Sequence, residues 1–168
     1  MFANTIEAPP RATPFAVDLD QFPYGWRQVR EVLPSGKVRY REIPLTPADL
    51  LDPQLEDVMP QNTEHLQCSV DLYNIFHTRY LDEPTIGVFA DLKMRWGIDD
   101  LEEPAPDIAV VMNLKNKTKS RSSFSVRKEG TRPSLVIEVM SPHYPGDDTE
   151  KVTIYKRAGV TEYLIINP

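Results

Sequence analysis

A single cysteine, Cys68, in 168 residues has no partner for an internal disulfide. A disulfide-stapled secreted scaffold is therefore excluded, and a reducing, cytoplasmic setting is the expectation. Long apolar runs are also missing. The longest are fragments such as Leu135-Val136-Ile137, against the roughly 20 residues needed to span a bilayer, so a soluble chain with no membrane partner is expected. The first residues, Met1-Phe-Ala-Asn-Thr-Ile-Glu, lack the basic-then-apolar order of a signal peptide. No P-loop, GxGxxG or nucleophile elbow occurs, and His77 and His143 have no cysteine or histidine at zinc-like spacing. Internal repeats and low-complexity tracts are absent. What is present is ordinary globular composition, 40% hydrophobic, with 19 Lys+Arg against 25 Asp+Glu for a net charge of -6. That excludes collagen, coiled coil and full disorder. At this length roughly two thirds of the unfolded surface can be buried, enough for one domain, or one domain with an arm, and a sheltered site.

Prolines are unevenly placed, with nine of the 16 in the first 60 residues, where each fixes φ and removes a donor. Residues 1–44 therefore read as a proline-rich arm with an accessory hairpin, Trp26 to Leu33 and Val38 to Ile43 around Pro34-Ser-Gly-Lys. Residues 45–168 read as the main domain. Thr46 followed by Pro47 predicts a short helix ending near Pro53. Leu66, Val70, Tyr73 or Asn74, Phe76 or His77, and Tyr80 recur at helical spacing, predicting a helix over 63–81 with those residues inward. Strands are predicted at 85–96, 106–112 and 134–140, then a helix from about Asp148 to Ala158 capped by Gly159, then a strand from Glu162. The order αβββαβ with a helical crossover implies an α/β fold, a mixed central sheet flanked by helices.

Between residues 114 and 132, Lys115, Lys117, Lys119, Arg121, Arg127, Lys128 and Arg132 face only Glu129. The segment carries +6 and the remainder -12. Interspersed serines suggest a mobile loop that does not pack. Two readings stand for it: a phosphate-contacting arm for DNA, through Lys115, Lys117, Lys119, Arg121, Arg127 and Lys128, or a solvated loop that pairs with the molecule's own carboxylates.

Asp107 heads the strand Ile108-Ala-Val-Val-Met, and Glu138 lies inside Leu135-Val-Ile-Glu-Val-Met, sharing a face with Val136 and Met140. A carboxylate on a covered face is costly unless a cation or hydrogen-bond donor meets it. Two carboxylates from adjacent strands, with waters and a phosphate oxygen, suit Mg²⁺. The plainer reading of Glu138 is a solvent-facing residue or an ion pair. Asp147, Lys151, Ile154, Tyr155 and Ala158 form one helical stripe, so Lys151 points where the apolar residues point. There it can orient a water and stabilise phosphoryl charge, or else it snorkels to solvent.

Pro106-Asp107, the run from Ser134 through Glu138 to Pro142, Asp147 with Lys151, Tyr155, and Gly159-Val-Thr-Glu-Tyr163 together resemble the Uma-two family of the PD-(D/E)xK, restriction-endonuclease-like superfamily, over about residues 45 to 168. The resemblance implies a restriction-endonuclease-like αβββαβ core and metal-dependent hydrolysis of DNA, with Mg²⁺ (or Mn²⁺) as cofactor. Asp107 takes the place of the superfamily's aspartate and Glu138 that of its acid. The Val139 carbonyl becomes a further metal ligand, and Glu64, on the helix before the sheet, becomes a candidate fourth ligand or merely a favourable first-turn charge. Where the superfamily has lysine two residues after the acid, this chain has Met140, and Lys151 is the expected replacement. His65 is either a site residue or, the favoured reading, a capping and packing histidine, and Asp91 reads as an ordinary strand carboxylate. Related proteins continue past the position of Asn167, so a chain truncated at its C-terminus is expected, or one whose unfinished edge pairs with a partner, including a second copy in a homodimer. A metal-dependent endonuclease is the leading reading. A catalytically inactive nuclease-fold module that binds DNA or a protein is the alternative.

Overall fold

The computed structural model describes residues 22–59, 62–140 and 149–168. The proline-rich run before residue 22, and Asp147, Asp148 and His143 with it, lie outside the described residues. Strands β1 (Trp26–Val32) and β2 (Val38–Pro44) form the expected antiparallel hairpin, and β3 (Asp57–Val58) pairs with the other edge of β1. Between them, α1 (Pro47–Leu51) starts as Thr46-Pro47 predicts. Its cap is reciprocal: Asp49 N–H donates to the Thr46 carbonyl, while Thr46 N–H and Oγ1 donate to Asp49 Oδ2 at 2.8 and 2.6 Å.

The rest follows the αβββαβ order. Helix α2 (Thr63–Arg79) is followed by β4 (Gly87–Ala90), β5 (Met94–Arg95), β6 (Ile108–Val111), β7 (Phe124–Ser125), α3 (Val126–Glu129), β8 (Pro133–Val139), α4 (Glu150–Ala158) and β9 (Glu162–Ile166). The main sheet has the order β4-β6-β8-β9. Its first two pairings are antiparallel, and β8 with β9 is parallel across the α4 crossover. This is a mixed sheet with a helix on each face, as the αβββαβ order predicts. One face carries Ala109, Val111 and Val136 against Ile154, Tyr155 and Ala158 of α4. The other carries Ile108, Val110 and Ile137 against Leu72, Tyr73, Phe76 and Tyr80 of α2. Alternation along β6 and β8 supplies both cores at once, which is why these strands read as unbroken apolar runs.

Three expectations are corrected. The strand over 85–96 is two strands in different sheets, β4 with β6 and β5 parallel to β7. Asp91 breaks it with a left-handed φ of 48°, its N–H turned to the carbonyls of Pro106 and Asp107. The basic segment is packed, not loose. Leu114 and Phe124 are buried in the α4-side core, and Phe124 N–H donates to the Lys93 carbonyl at 2.8 Å. Finally, the inward stripe of α2 is shifted. Leu66 and Val70 are exposed, while His65, Leu72, Tyr73, Phe76 and Tyr80 face the sheet, at i, i+7, i+8, i+11 and i+15.

Candidate active site

Three elements converge at one end of the main sheet. The register that sets Ile108 opposite Ile137 puts Asp107 and Glu138 at neighbouring places on adjacent antiparallel strands. Asp107 Oδ2 accepts the Val139 N–H at 2.8 Å, so its carboxylate closes the last rung of the β6–β8 ladder instead of pointing to solvent. Glu138 is 2% exposed. Its Oε1 accepts the Tyr155 hydroxyl at 2.5 Å, and its Oε2 lies 3.0 Å from Lys151 Nζ. Lys151 and Tyr155 are four residues apart, one above the other on the buried stripe of α4. An ionised carboxylate in a dry strand is thus matched by a cation and a hydroxyl.

A residue that sequence periodicity set aside completes this end. His65 enters from α2, where the Asn62 side chain caps the helix by accepting His65 N–H at 2.7 Å. The imidazole is buried, with Nε2 3.3 Å from Asp107 Oδ2, and Nδ1 has no hydrogen-bond partner. Hydrogen bonding to Asp107 holds its pKa above the ordinary value against the opposing effect of burial, with the charges of Asp107 and Glu138 and the Val139 backbone adding to the rise. Asp91 sits nearby. Loss of hydration around its carboxyl and then the charge of Asp107 push its pKa up, while His65 pulls it back.

The remaining candidates are placed as follows. Glu64 is exposed and lines an open groove with Cys68, Asp71 and Ile166. Lys117 Nζ donates to the carbonyls of Tyr80, Leu81 and Glu83 at 3.0, 2.7 and 2.8 Å. Arg121 pairs with Glu129 at 3.0 Å, its side chain 2% exposed, and Lys119 reaches the same carboxylate at 3.1 Å. Lys115, Arg127 and Lys128 are exposed and make no ion pair among the described residues. The sequence names His65 as a possible site residue but favours a packing role, because the periodicity taken through Leu66 and Val70 turns it off the inward face. Shifting that stripe by one position is the signal that finds it. Among the described residues, no three His, Cys, Asp or Glu side chains form a preformed metal cluster, and no helix is long and apolar enough to cross a membrane.

Comparison with known proteins matches residues 39–168 to the model of the Uma2 family, described as "putative restriction endonuclease". The chain belongs to the Uma2 family. A solved structure described as a "putative nuclease belonging to DUF820", from Anabaena variabilis, is similar at 16% identity with a TM-score of 0.40, covering 77% of this chain and 57% of that one. The chain thus spans little more than half the length of that relative. No curated protein matches. Membership of Uma2 places the chain in a family described as putative restriction endonucleases.

Proposed function

We propose that this Uma2 protein is a Mg²⁺- or Mn²⁺-dependent endonuclease acting on DNA phosphodiesters in the cytoplasm, with Asp107 and Glu138 as carboxylate ligands and Lys151 as the residue that orients the attacking water. The observation that carries the reading is the buried contact of Lys151 with Glu138 at 3.0 Å, one strand over from Asp107. The acid and the cation come from β8 and α4, and Asp107 stands next to Glu138 in the β6–β8 register, at a place where simple core packing needs no charge.

The donor set fits a hard divalent ion. Mg²⁺ takes one or two protein carboxylates and fills the rest of its octahedron with waters and phosphate oxygens. Asp107 and Glu138 supply the carboxylates, and the Val139 carbonyl, at the end of the same strand, is a third hard oxygen. When bound, such an ion neutralises charge on the scissile phosphate and lowers the pKa of water. The chain's own residues do the rest. Tyr155 and Lys151 fix the rotamer of Glu138, and the Val139 N–H fixes that of Asp107. The Lys151 ammonium remains beside the reacting phosphate as a positive charge that needs no proton transfer. Exposed Lys115, Arg127 and Lys128 are the cations best placed to meet a phosphate backbone.

The deciding experiment is cleavage of plasmid and linear DNA with Mg²⁺ and with Mn²⁺ by the wild type, Asp107→Ala and Glu138→Ala, with circular dichroism to confirm folding. Divalent-dependent cleavage by the wild type and its loss in both variants is expected, whereas cleavage that persists in folded Asp107→Ala removes the assignment. Met140, standing where the superfamily has its lysine, favours a second reading, a nuclease fold that binds DNA or protein without cutting. Titration calorimetry separates the two, since an abandoned site gives no saturable heat with either ion.

A further inference from the structure

The accessory hairpin is packed far less than the main sheet. All seven residues of β2 are exposed, and along β1 exposure alternates, with Gln28, Arg30 and Val32 turned outward. The register sets Val32 opposite Val38 and Arg30 opposite Tyr40, so these four share one face. Val32, Val38 and Tyr40 are 57, 44 and 63% exposed, and they stand together instead of being scattered singly, as an interaction surface does. The ribbon is also basic. Between Trp26 and Pro44 five cations stand against Glu31 and Glu42. Arg27 is bound to Asp49 and Asp57, and Arg39 to Glu31. Arg30, Lys37 and Arg41 form no ion pair among the described residues.

A surface of the opposite character lies elsewhere on the same chain, in the loop Gly97-Ile-Asp-Asp-Leu-Glu-Glu between β5 and β6. The loop is held in shape from beneath. Trp96 and Leu101 are buried, Trp96 Nε1 donates to the Glu102 carbonyl at 3.0 Å, and left-handed Gly97 and Asp100, with φ of 70° and 55°, bracket Ile98 and Asp99. Ile98 is 40% exposed. Asp99, Asp100 and Glu102 around it are exposed too, and they meet no cation at ion-pair distance among the described residues. We propose that the hairpin of one copy docks on the 97–103 loop of a second copy, and the second hairpin on the first loop, in a two-fold dimer. A reciprocal contact of this kind closes on itself. Val32, Val38 and Tyr40 cover Ile98, while Arg30, Lys37 and Arg41 face the three acids. A phosphate backbone would satisfy the cations and leave both valines in water, whereas the loop meets the apolar patch and the charge together. Charge of opposite sign across the contact also makes it sensitive to salt.

The test is sedimentation velocity of the full chain over a concentration series, without DNA or metal. A monomer–dimer equilibrium is expected, with a dissociation constant that rises at least about tenfold between about 50 and 300 mM salt. Two double variants reverse the charges at exposed positions: Arg30→Glu with Lys37→Glu on the hairpin, and Asp99→Lys with Glu102→Lys on the loop. Each alone is expected to weaken self-association at least about a hundredfold, because like charges then face each other. An equimolar mixture of the two is expected to restore the dimer, since each hairpin in the mixed pair again meets a loop of opposite charge. A wild type that stays monomeric throughout the series overturns the proposal. So does a dimer that either folded double variant leaves intact, or a pair of folded variants that do not combine. Where circular dichroism shows a variant unfolded, the wild type still decides, because a dimer indifferent to salt is not held by this contact.

Discussion

Lys151 and Glu138 put a charge pair inside an apolar layer, and such a pair is far more sensitive to losing one member than to losing both. Its desolvation is balanced only while the ammonium, the carboxylate and the Tyr155 hydroxyl are all in place. Lys151→Met keeps the length of the side chain and removes the cation 3.0 Å from a carboxylate that is 3% exposed. A loss of about 3 kcal/mol is expected in urea unfolding. Adding Glu138→Gln to that variant is expected to recover much of the loss, because the uncompensated charge goes with it. If the two single losses simply add, the pair is not coupled.

His65 makes a pH-dependent contribution whose sign follows from its raised pKa. The folded state holds the ring proton more tightly than the unfolded chain does. The stabilisation is therefore fully present below the ordinary value of 6.5 and is lost as pH rises through the higher folded value. Glu129 runs the other way. Hydrogen bonding from Arg121, foremost, holds its carboxyl below the ordinary range, so its stabilisation is present above that range and disappears as pH falls through the folded value. Urea midpoints measured from pH 5 to 9 are expected to decline as pH rises above the ordinary value of 6.5 in the wild type, and His65→Gln to flatten that limb alone.

At the scale of elements, the basic segment works as a clasp. Lys117 places three donors on the carbonyls of Tyr80, Leu81 and Glu83, at the C-cap of α2 and in the turn just beyond it, where the helix dipole is negative. Lys117→Met is expected to destabilise the protein by about 1 to 2 kcal/mol and to speed hydrogen exchange first in the final turn of α2. Gly159 sets the other helix end, with φ 76° at the cap of α4, and a Cβ there would run into the Arg132 guanidinium. That guanidinium already caps the Ala158 carbonyl at 2.8 Å. Gly159→Ala is therefore expected to lose about 1 to 2 kcal/mol from backbone strain, a drop readable as a lower melting temperature.

Most of the elements could be read from the sequence, because strands buried on both faces are apolar throughout and because Thr46-Pro47 and Gly159 mark helix ends by local chemistry. The convergence of Glu138 with Lys151 was legible for a related reason: a strand alternates and a helix repeats at 3.6, so a charged residue in phase with apolar ones must point inward. Periodicity failed where two phases compete. On α2, exposed Leu66 and Val70 carry an apolar signal as strong as that of the true face, and only the sheet decides between them. The same competition tipped His65 toward a packing role. Asp91 was misread because a left-handed aspartate is set by the carbonyls of Pro106 and Asp107, which are remote in sequence and carry no local mark. The packing of the basic segment depended on Leu114 and Phe124, two apolar residues too far apart to form a pattern.

For the whole molecule the proposal that the chain acts on DNA raises the question of how a net charge of -6 would meet a polyanion. By count the segment 114–132 offers seven cations, enough to suggest a steep salt dependence. The fold removes most of them. Lys117 is bound to three carbonyls, Lys119 and Arg121 share Glu129, and Arg132 caps Ala158. Recruiting any of these for phosphate would undo a contact that holds α2, α3 or α4. Lys115, Arg127 and Lys128 can neutralise phosphate without such loss. Counterion release gives a slope of log K against log salt of about -0.9 for each phosphate neutralised on duplex DNA, so three contacts correspond to about -2.7 and seven to about -6. A shallow slope near the smaller value is expected from fluorescence anisotropy between 50 and 300 mM salt. Lys128→Ala should lower it by about 0.9, while Lys117→Met should leave it unchanged. A slope near -6 would mean that the clasp opens to bind DNA, and the slower step of unfastening Lys117 and Arg121 would then appear in the association kinetics.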